Sequence, residues 1–588
     1  MASSSLQSVR MGIAGLAFAA ISSAQMSVTL TPSLPSPVPV ATMVTWNASV
    51  PSSAAGTIWY RFRVREVGHD FAMIRDYGPP ASLDWTASDH EGLYEMEVSA
   101  KNRLTGELAA ASSVYRMLSR VSPGGGPVIS PTTHPLVFLY SASCPGGSQM
   151  KVQFQARDGV VQETPYKACQ EGRSMNFYLA GLRSNTAYTA RHVVNNSGQL
   201  TPGSDIVFGM NQDAPGLFTE TVVQPPAAGV SSPILLGSSL SGAVAHDLAG
   251  NVIWYSDNNI YVVTRPEDGG YFWGTIESQL FDTSGQVIRK FDLVGMTVLE
   301  TNAARVNEQL AAMGRRPITG FHHEARTLPD GSIAALAGVE QILTDVQGPG
   351  PVDVLGDMIV VLDSNLNVIW TWDTFDHLDV TRKAVLGETC GPVSACAPFY
   401  LAKNANDWTH GNAIQQTPDG ELLYSTRHQD WLIKVSYQSG KGDGHVIWRL
   451  GKDGDFQFNS SDPWPWFSHQ HDGNIEFSDP TALLVFDDGN TRVGSMGGNS
   501  RGQVLRLDEP NRSASFILNA DLGVYSLAVG SAQLLPDHNY HFDAGFVPQG
   551  TGVAYSFEVD GTGHVVYEAK ANAILYRTFR MTNMYTPN

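Results

Sequence analysis

The chain has 588 residues, more than one hydrophobic core organises, so two or more domains are expected. Its net charge of -19 and pI near 5.2 exclude a nucleic-acid partner, which needs clustered Lys and Arg that the sequence nowhere provides. With 42% hydrophobic and 16% charged residues, 57 Gly and 33 Pro, the composition is that of a turn-rich globular protein biased to β structure.

Residues 1–24 read as a signal peptide. Arg10 precedes the apolar run "MGIAGLAFAAI", and the following "SSAQ" supplies small residues at Ser22 and Ala24 for cleavage. The run is too short for a permanent anchor, and no membrane span follows it. The expected location is therefore periplasmic or secreted. Four cysteines then read as bridges, paired by nearness as Cys144 with Cys169 and Cys390 with Cys396. Neither spacing is the two-residue one that a zinc site favours.

Residues 26–121 and 127–225 read as two β-sandwich modules. Alternating runs such as "GTIWYRFRVRE", "GLYEMEVSAKN" and "MKVQFQA" are separated by Gly, Pro, Asn and Ser clusters. The stretch "SPGGGPVISP" from Ser122 to Pro131 is the linker, and "VQPPAAG" from Val223 closes the second module. Neither module clusters reactive residues, so both read as scaffold. They leave a monomer and a homodimer equally open.

Residues 230–588 are repetitive. "DLAGNVIWY" at Asp247, "DTSGQVIRK" at Asp282, "DSNLNVIWT" at Asp363, "DGHVIWRL" at Asp443 and "DGTGHVVYE" at Asp560 share a turn and a β-branched strand, and "DEPNRSASF" at Asp508 is a degenerate copy. A second turn class, "PEDGGYFWG", "LPDGSIAALAG", "TPDGELLYSTRH" and "LPDHNYHFDAG", alternates with them. Two hairpin signals repeated about six times are the signature of a six-bladed β-propeller. The fold expected is all-β, sandwich modules followed by that propeller. The one helical stretch, residues 301–317, reads as an insertion between blades.

Of 16 histidines, several precede a turn at related places: "FHHEARTLPDG" from Phe321, "THGNAIQQTPDG" from Thr409 and "SHQHDGNIEFSDP" from Ser468. Alternation along a strand puts His410 with Asn412 and His469 with His471, and counting back equally from Gly331 and Gly420 reaches His323 and Asn412. Matching inner positions of different blades converge on the propeller axis. Arg427, on the strand after the turn that follows His410, adds a cation.

The elements "HHEA", "DWTHGNAI" running on to "LLYSTRHQD", and "HQHDG" beside the Trp-rich "DPWPWFS" resemble the bacterial arylsulfate sulfotransferases. The resemblance spans the propeller and implies transfer of a sulfuryl group from a phenolic sulfate ester to a phenolic acceptor, without a nucleotide-activated donor. It implies that His471 is the nucleophile, that His410 and Asn412 contact the sulfuryl group, that Arg427 is the site's arginine, and that His322 or His323 supplies the remaining imidazole. Register with Asn412 favours His323; His322, His469 and His428 are expected to contact substrate. The family's last-blade Lys-Thr pair has no clear counterpart in "YSLAVGSAQLLPD", where Ser526 or Ser531 could serve. The family's disulfide also lies just ahead of the nucleophile, whereas Cys390 and Cys396 precede His410.

No cofactor and no metal are expected: there is no phosphate-cradling "GxxxxGK[ST]" loop, and "GNSRG" from Gly498 lacks the α/β context of a serine elbow. Two other functions fit a histidine cluster, a metal-dependent hydrolase or lyase and a non-catalytic binding module.

Overall fold

The computed structural model describes Met1 and residues 26–51, 56–157, 159–209, 218–239, 242–256, 263–276, 282–391 and 396–587. The expected signal peptide lies outside them. Among these residues the chain is all-β, with three short α-helices.

Beyond residue 218, six sheets follow one another, each built around four antiparallel strands, with further strands added at the edges of all but one. Each has a leading strand, in chain order β1 (Val263–Glu267), β2 (Gly320–Thr327), β3 (Gly411–Gln416), β4 (His471–Ile475), β5 (Gly530–Leu534) and β6 (Leu575–Asn583). Each leading strand touches the next and β6 touches β1, so the six form a ring. The sheet of β6 is composite, because β6 and the edge strand Thr586–Pro587 join strands Ile234–Ser239, Gly242–Asp247 and Val252–Tyr255, which precede β1. Strand Glu220–Gln224 adds to the outside of the β5 sheet by pairing with Val565–Ala571.

The two repeated turn signals now have places. The "PDG" class joins first to second strands, as at Gly331 and Gly420, while the Asp class joins third to fourth. In the latter the aspartate accepts from backbone N–H groups just downstream, as Asp363 does from Asn365 and Asn367, and Asp560 from Thr562 and His564. Asp282 differs: it precedes the third strand of the β1 sheet and caps a short 3-10 turn through Ser284.

Inner strands are covered on both faces, so Leu422–Thr426 and Ala482–Asp487 are buried at every residue and lose the alternation of a half-exposed strand. Their side chains fill the seams between sheets. Leu336, Ile359, Trp372 and Tyr424 pack between the β2 and β3 sheets, and Phe486, Val504, Phe542 and Phe557 between those of β4 and β5. Each such side chain contributes about 1.5–3 kcal/mol on burial. At the closing seam, between the β5 and β6 sheets, Leu235, Tyr567 and Ala569 cluster, Ala554 and Ala571 join the cluster of Ile234 and Leu575, and Arg580 pairs with Glu558 at 2.7 Å, both buried.

Upstream, strands Thr29–Pro32, Val44–Ser49 and Ser82–Trp85 form a sheet that shares a core of Trp46, Phe62, Trp85, Val98 and Tyr115 with the sheet of Ile58–Glu66, Ala72–Gly78, Gly92–Asn102 and Leu108–Leu118. A bridge between Arg75 and Glu300 joins that second sheet to the β1 sheet. Helix Ala303–Ala312, capped by Asn302, follows directly; Arg305 pairs with Asp76 and Glu308 with Lys101. Residues 128–209 pack Tyr140, Phe154 and Phe177 into one cluster with Trp254 and Phe272. Both expected disulfides are present, Cys144–Cys169 and Cys390–Cys396.

Candidate active site

The histidines gather where β2, β3 and β4 begin, and a β-bulge at each start puts them there. Register shifts fall between Phe321 and Ala325, between Gly411 and Ala413, and between His471 and Asn474. His323, His410, His469 and Asp472 have φ of 57°, 49°, 52° and 52°, the left-handed region that costs a non-glycine residue of order 1 kcal/mol or more. A bulge re-aims side chains and breaks period-two counting. Consequently the imidazole that meets His323 is His410, with ring centroids 5.0 Å apart, and not Asn412.

The rings form a chain. His322 stacks edge-on with His323 at 4.9 Å, His410 lies 4.5 Å from His428, and His428 lies 5.8 Å from His469. Tyr576 of β6 bridges the gap, 5.3 Å from His323 and 6.3 Å from His471.

Each imidazole has its own polar partner. His471 Nδ1 lies 2.6 Å from Asp488 Oδ2, which leaves Nε2 as its reactive nitrogen. Burial, then Arg427, His410 and Arg577, hold His471 well below the ordinary histidine range, while burial pushes Asp488 well above the carboxylate range against the pull of Arg427. Both groups favour their neutral forms. His323 is likewise held far down by burial and by His322, His410 and His471. His410 Nδ1 lies 2.7 Å from Asp407 Oδ2, and Cys396 Sγ, half of the second disulfide, lies 3.4 Å from the same oxygen.

His428 and His469 have both ring nitrogens engaged. Arg427 Nη1 lies 2.7 Å from His428 Nε2; because guanidinium only donates, that nitrogen accepts, and Nδ1–H donates to the Asp407 carbonyl at 2.7 Å. Burial holds His428 neutral, well below the usual range. His469 contacts Asp430 through Nδ1 at 2.9 Å and Glu388 through Nε2. Burial alone would lower it, but these two carboxylates raise it above the ordinary value.

Arg427 also donates from Nη2 to the Leu527 carbonyl at 3.2 Å, and its buried Nε has no partner among the described residues. Asn412 donates from Nδ2 to the Gln470 carbonyl at 2.7 Å, next to His471, and its buried Oδ1 has no partner among the described residues. Below it, Arg577 donates to the Asn412 carbonyl at 2.9 Å while pairing with Glu324 at 2.7 Å and Asp472 at 3.3 Å. Glu324 also takes Arg265 at 3.0 Å. This ladder separates the histidines from a cavity of about 370 Å³ at the far end of β1 and β2, lined by Glu267, Lys290 and Arg326. Ser526 and Ser531 do not face the cluster with free hydroxyls: Ser526 donates to the Ala528 carbonyl and Ser531 to that of Thr578.

Asp357, Asp407, Asp488, Tyr576 and Arg577 were not legible as site residues. Asp407 alone left a trace, three residues ahead of His410 in "DWTH".

Among the described residues, Asp407, His410 and His428 bring one ligand atom each within 4.8 Å of one another, so a cation site is geometrically available there. No helix among those residues is long and apolar enough to cross a membrane.

Buried imidazoles beside a fixed guanidinium make a site suited to a small oxyanion. The model of the Arylsulfotransferase (ASST) family matches residues 219–582, well over half of the chain, and the protein belongs to that family. Membership supports aryl sulfotransferase activity in general. No curated protein matches the chain. Among solved structures it is similar to the chicken CNTN1 FN1–FN3 domains, at 13% identity and TM-score 0.13 over 30% of this chain and 68% of that one. It is also similar to the chicken interferon gamma receptor alpha chain, at 10% identity and TM-score 0.12 over 31% of this chain and 98% of that one. Neither likeness carries an argument about this fold.

Proposed function

We propose that the protein is an exported arylsulfate sulfotransferase that works by ping-pong transfer through a sulfohistidine on His471, on a six-bladed β-propeller carrying two sandwich modules. The observation that carries this reading is His471, buried, neutral and tied through Nδ1 to Asp488, with Arg427 close enough to act on both. A bare Nε2 is a nucleophile at neutral pH. It attacks sulfur as the S–O bond to the phenol breaks, and the electron pair leaves on the phenolate oxygen. The ring then carries positive charge, with its Nδ1–H held by Asp488 Oδ2. An incoming phenolate reverses these steps on the second substrate.

Sulfuryl transfer keeps its charge on peripheral oxygens, so the barrier falls through positioning and aimed donors. Arg427 supplies the fixed charge and His410 a ring N–H or lone pair, while His428 and His469, whose nitrogens are taken, hold Arg427 and the approach to β4 in place. Two disulfides fit an oxidising compartment, periplasmic or secreted.

A metal-dependent hydrolase has one observation in its favour, the Asp407, His410 and His428 cluster. Its cation would share His428 with the Arg427 guanidinium, and like charges oppose that. Incubation with an aryl sulfate and no acceptor should release about one phenol per enzyme in a burst and leave a sulfuryl adduct on His471. Turnover that ignores added phenol and stops with a chelator would replace the transferase by the hydrolase.

A further inference from the structure

The transfer step leaves one buried line of groups unused. Asp357, in strand Pro351–Leu362, accepts at Oδ2 from Thr409 Oγ at 2.5 Å, Gly411 N–H at 2.7 Å and Tyr424 O–H at 2.5 Å. Its Oδ1 faces His322 Nε2 at 3.1 Å. Burial would raise this carboxyl, but the facing His322 imidazole, then the hydrogen bonds from Thr409 and Tyr424, hold it below the ordinary carboxylate range. It is therefore ionised and only accepts, so His322 Nε2 carries a proton. The other nitrogen of His322 lies 2.8 Å from His323 Nδ1, and two ring nitrogens at that distance hold one proton between them. His323 turns its remaining Nε2 away from this pair, in a ring that neighbours His410 and Tyr576.

We propose that Asp357, His322 and His323 form a proton relay that protonates the departing phenolate and deprotonates the incoming phenol, with the proton stored on His322. The relay rests on the sulfotransferase reading. In its loaded form His323 carries hydrogen on Nε2 and His322 is an imidazolium against Asp357. As the S–O bond breaks, the Nε2 proton of His323 goes to the phenolate oxygen and the proton between the rings moves from His322 to His323. The second half-reaction runs this backward: the acceptor hydroxyl gives its proton to His323 Nε2, and the Nδ1 proton returns to His322. Charge never rests on His323, in keeping with its neighbours His322, His410 and His471 and its burial, all of which oppose it. His322 and Asp357 are positioning residues by this account, since neither touches substrate.

The relay predicts a dependence on leaving group that a structural role for His322 would not give. 4-Nitrophenolate departs without help, whereas phenolate needs a proton, and general acid catalysis is worth roughly 10²- to 10⁴-fold. His322→Gln should therefore slow the burst from phenyl sulfate by about 10²-fold and that from 4-nitrophenyl sulfate by at least about tenfold less. Equal slowing of both sulfates would overturn the relay. The unmodified protein supplies a second measurement: in mixtures of light and heavy water, its phenyl sulfate burst should fall along a curve, because two protons move together. A straight line would overturn the relay even if the variant failed to fold. An unmodified protein that turns over neither sulfate would remove the transferase reading itself, and the relay with it.

Discussion

At the scale of single residues, the roles separate by what each imidazole can still do with its nitrogens. His471→Asn should abolish both half-reactions, whereas His410→Asn should slow them and leave adduct detectable by peptide mapping; an adduct mapped to His410 would move the nucleophile. Arg427→Ala should cost roughly 10²- to 10³-fold in kcat, the usual loss of one preorganised donor, and a rate unchanged within about threefold would take it out of the site. Arg427→Lys should recover little, because one ammonium cannot reach His428 and the Leu527 carbonyl together. The imidazoles and Arg427 were legible because histidine is scarce and stood ahead of recognisable turns. The buried carboxylates were not. Asp488 follows directly on the apolar strand Ala482–Asp487 and Asp357 sits inside another, and acids there have no spacing that marks them. Tyr576 and Arg577 lie in "ILYRTFR", a plain strand, and only the ring brings them to the site.

At the scale of elements, the bulges are what the sequence concealed. Alternation placed Asn412 level with His323, and the extra residue at the start of β3 gives that place to His410. Turn chemistry, by contrast, was written plainly, since an aspartate that bonds its own downstream N–H groups works locally; Asp282 misled because that chemistry also caps a 3-10 turn. The closing seam carries an acid-sensitive element. Burial, then Arg580, pushes His541 down to about 3, against 6.5 when unfolded, so its folded form resists protonation. The unfolded chain takes up the proton first as pH falls. Stability from this group is complete above about pH 6.5 and declines toward pH 3 by up to ~1.4 kcal/mol per unit. Urea midpoints at pH 7 and pH 5 should differ less for His541→Gln than for the unmodified chain; an equal difference would assign the acid sensitivity elsewhere. A similar argument covers kinetics: His471 and His323 stay neutral well below pH 6.5, so the acid limb of kcat/KM should lie below the ordinary histidine range.

At the scale of the whole molecule, the ring depends on its composite sheet. A chain ending at Ile574 lacks β6, exposing the edges of Ile234–Ser239 and β5 and removing Tyr576, Arg577 and the Arg580–Glu558 pair together. It should lose the adduct-forming activity and its cooperative thermal transition, not merely melt a few degrees lower; calorimetry showing one sharp transition would show that the five remaining sheets suffice. The strand-rich class and the number of repeated hairpins were readable because each repeat obeys local rules. Which strand closes the ring was not, because pairing between residues 234 and 581 leaves no local pattern.

Closure also sets an order in time. Five of the six leading strands are made before β6, so during synthesis the chain carries its histidines without the strand that completes their surroundings. Arg577 is absent from the floor beneath Asn412, and Tyr576 from between His323 and His471, until residue 577 has arrived. On the proposed mechanism, a nascent chain therefore transfers no sulfuryl group until β6 has been made.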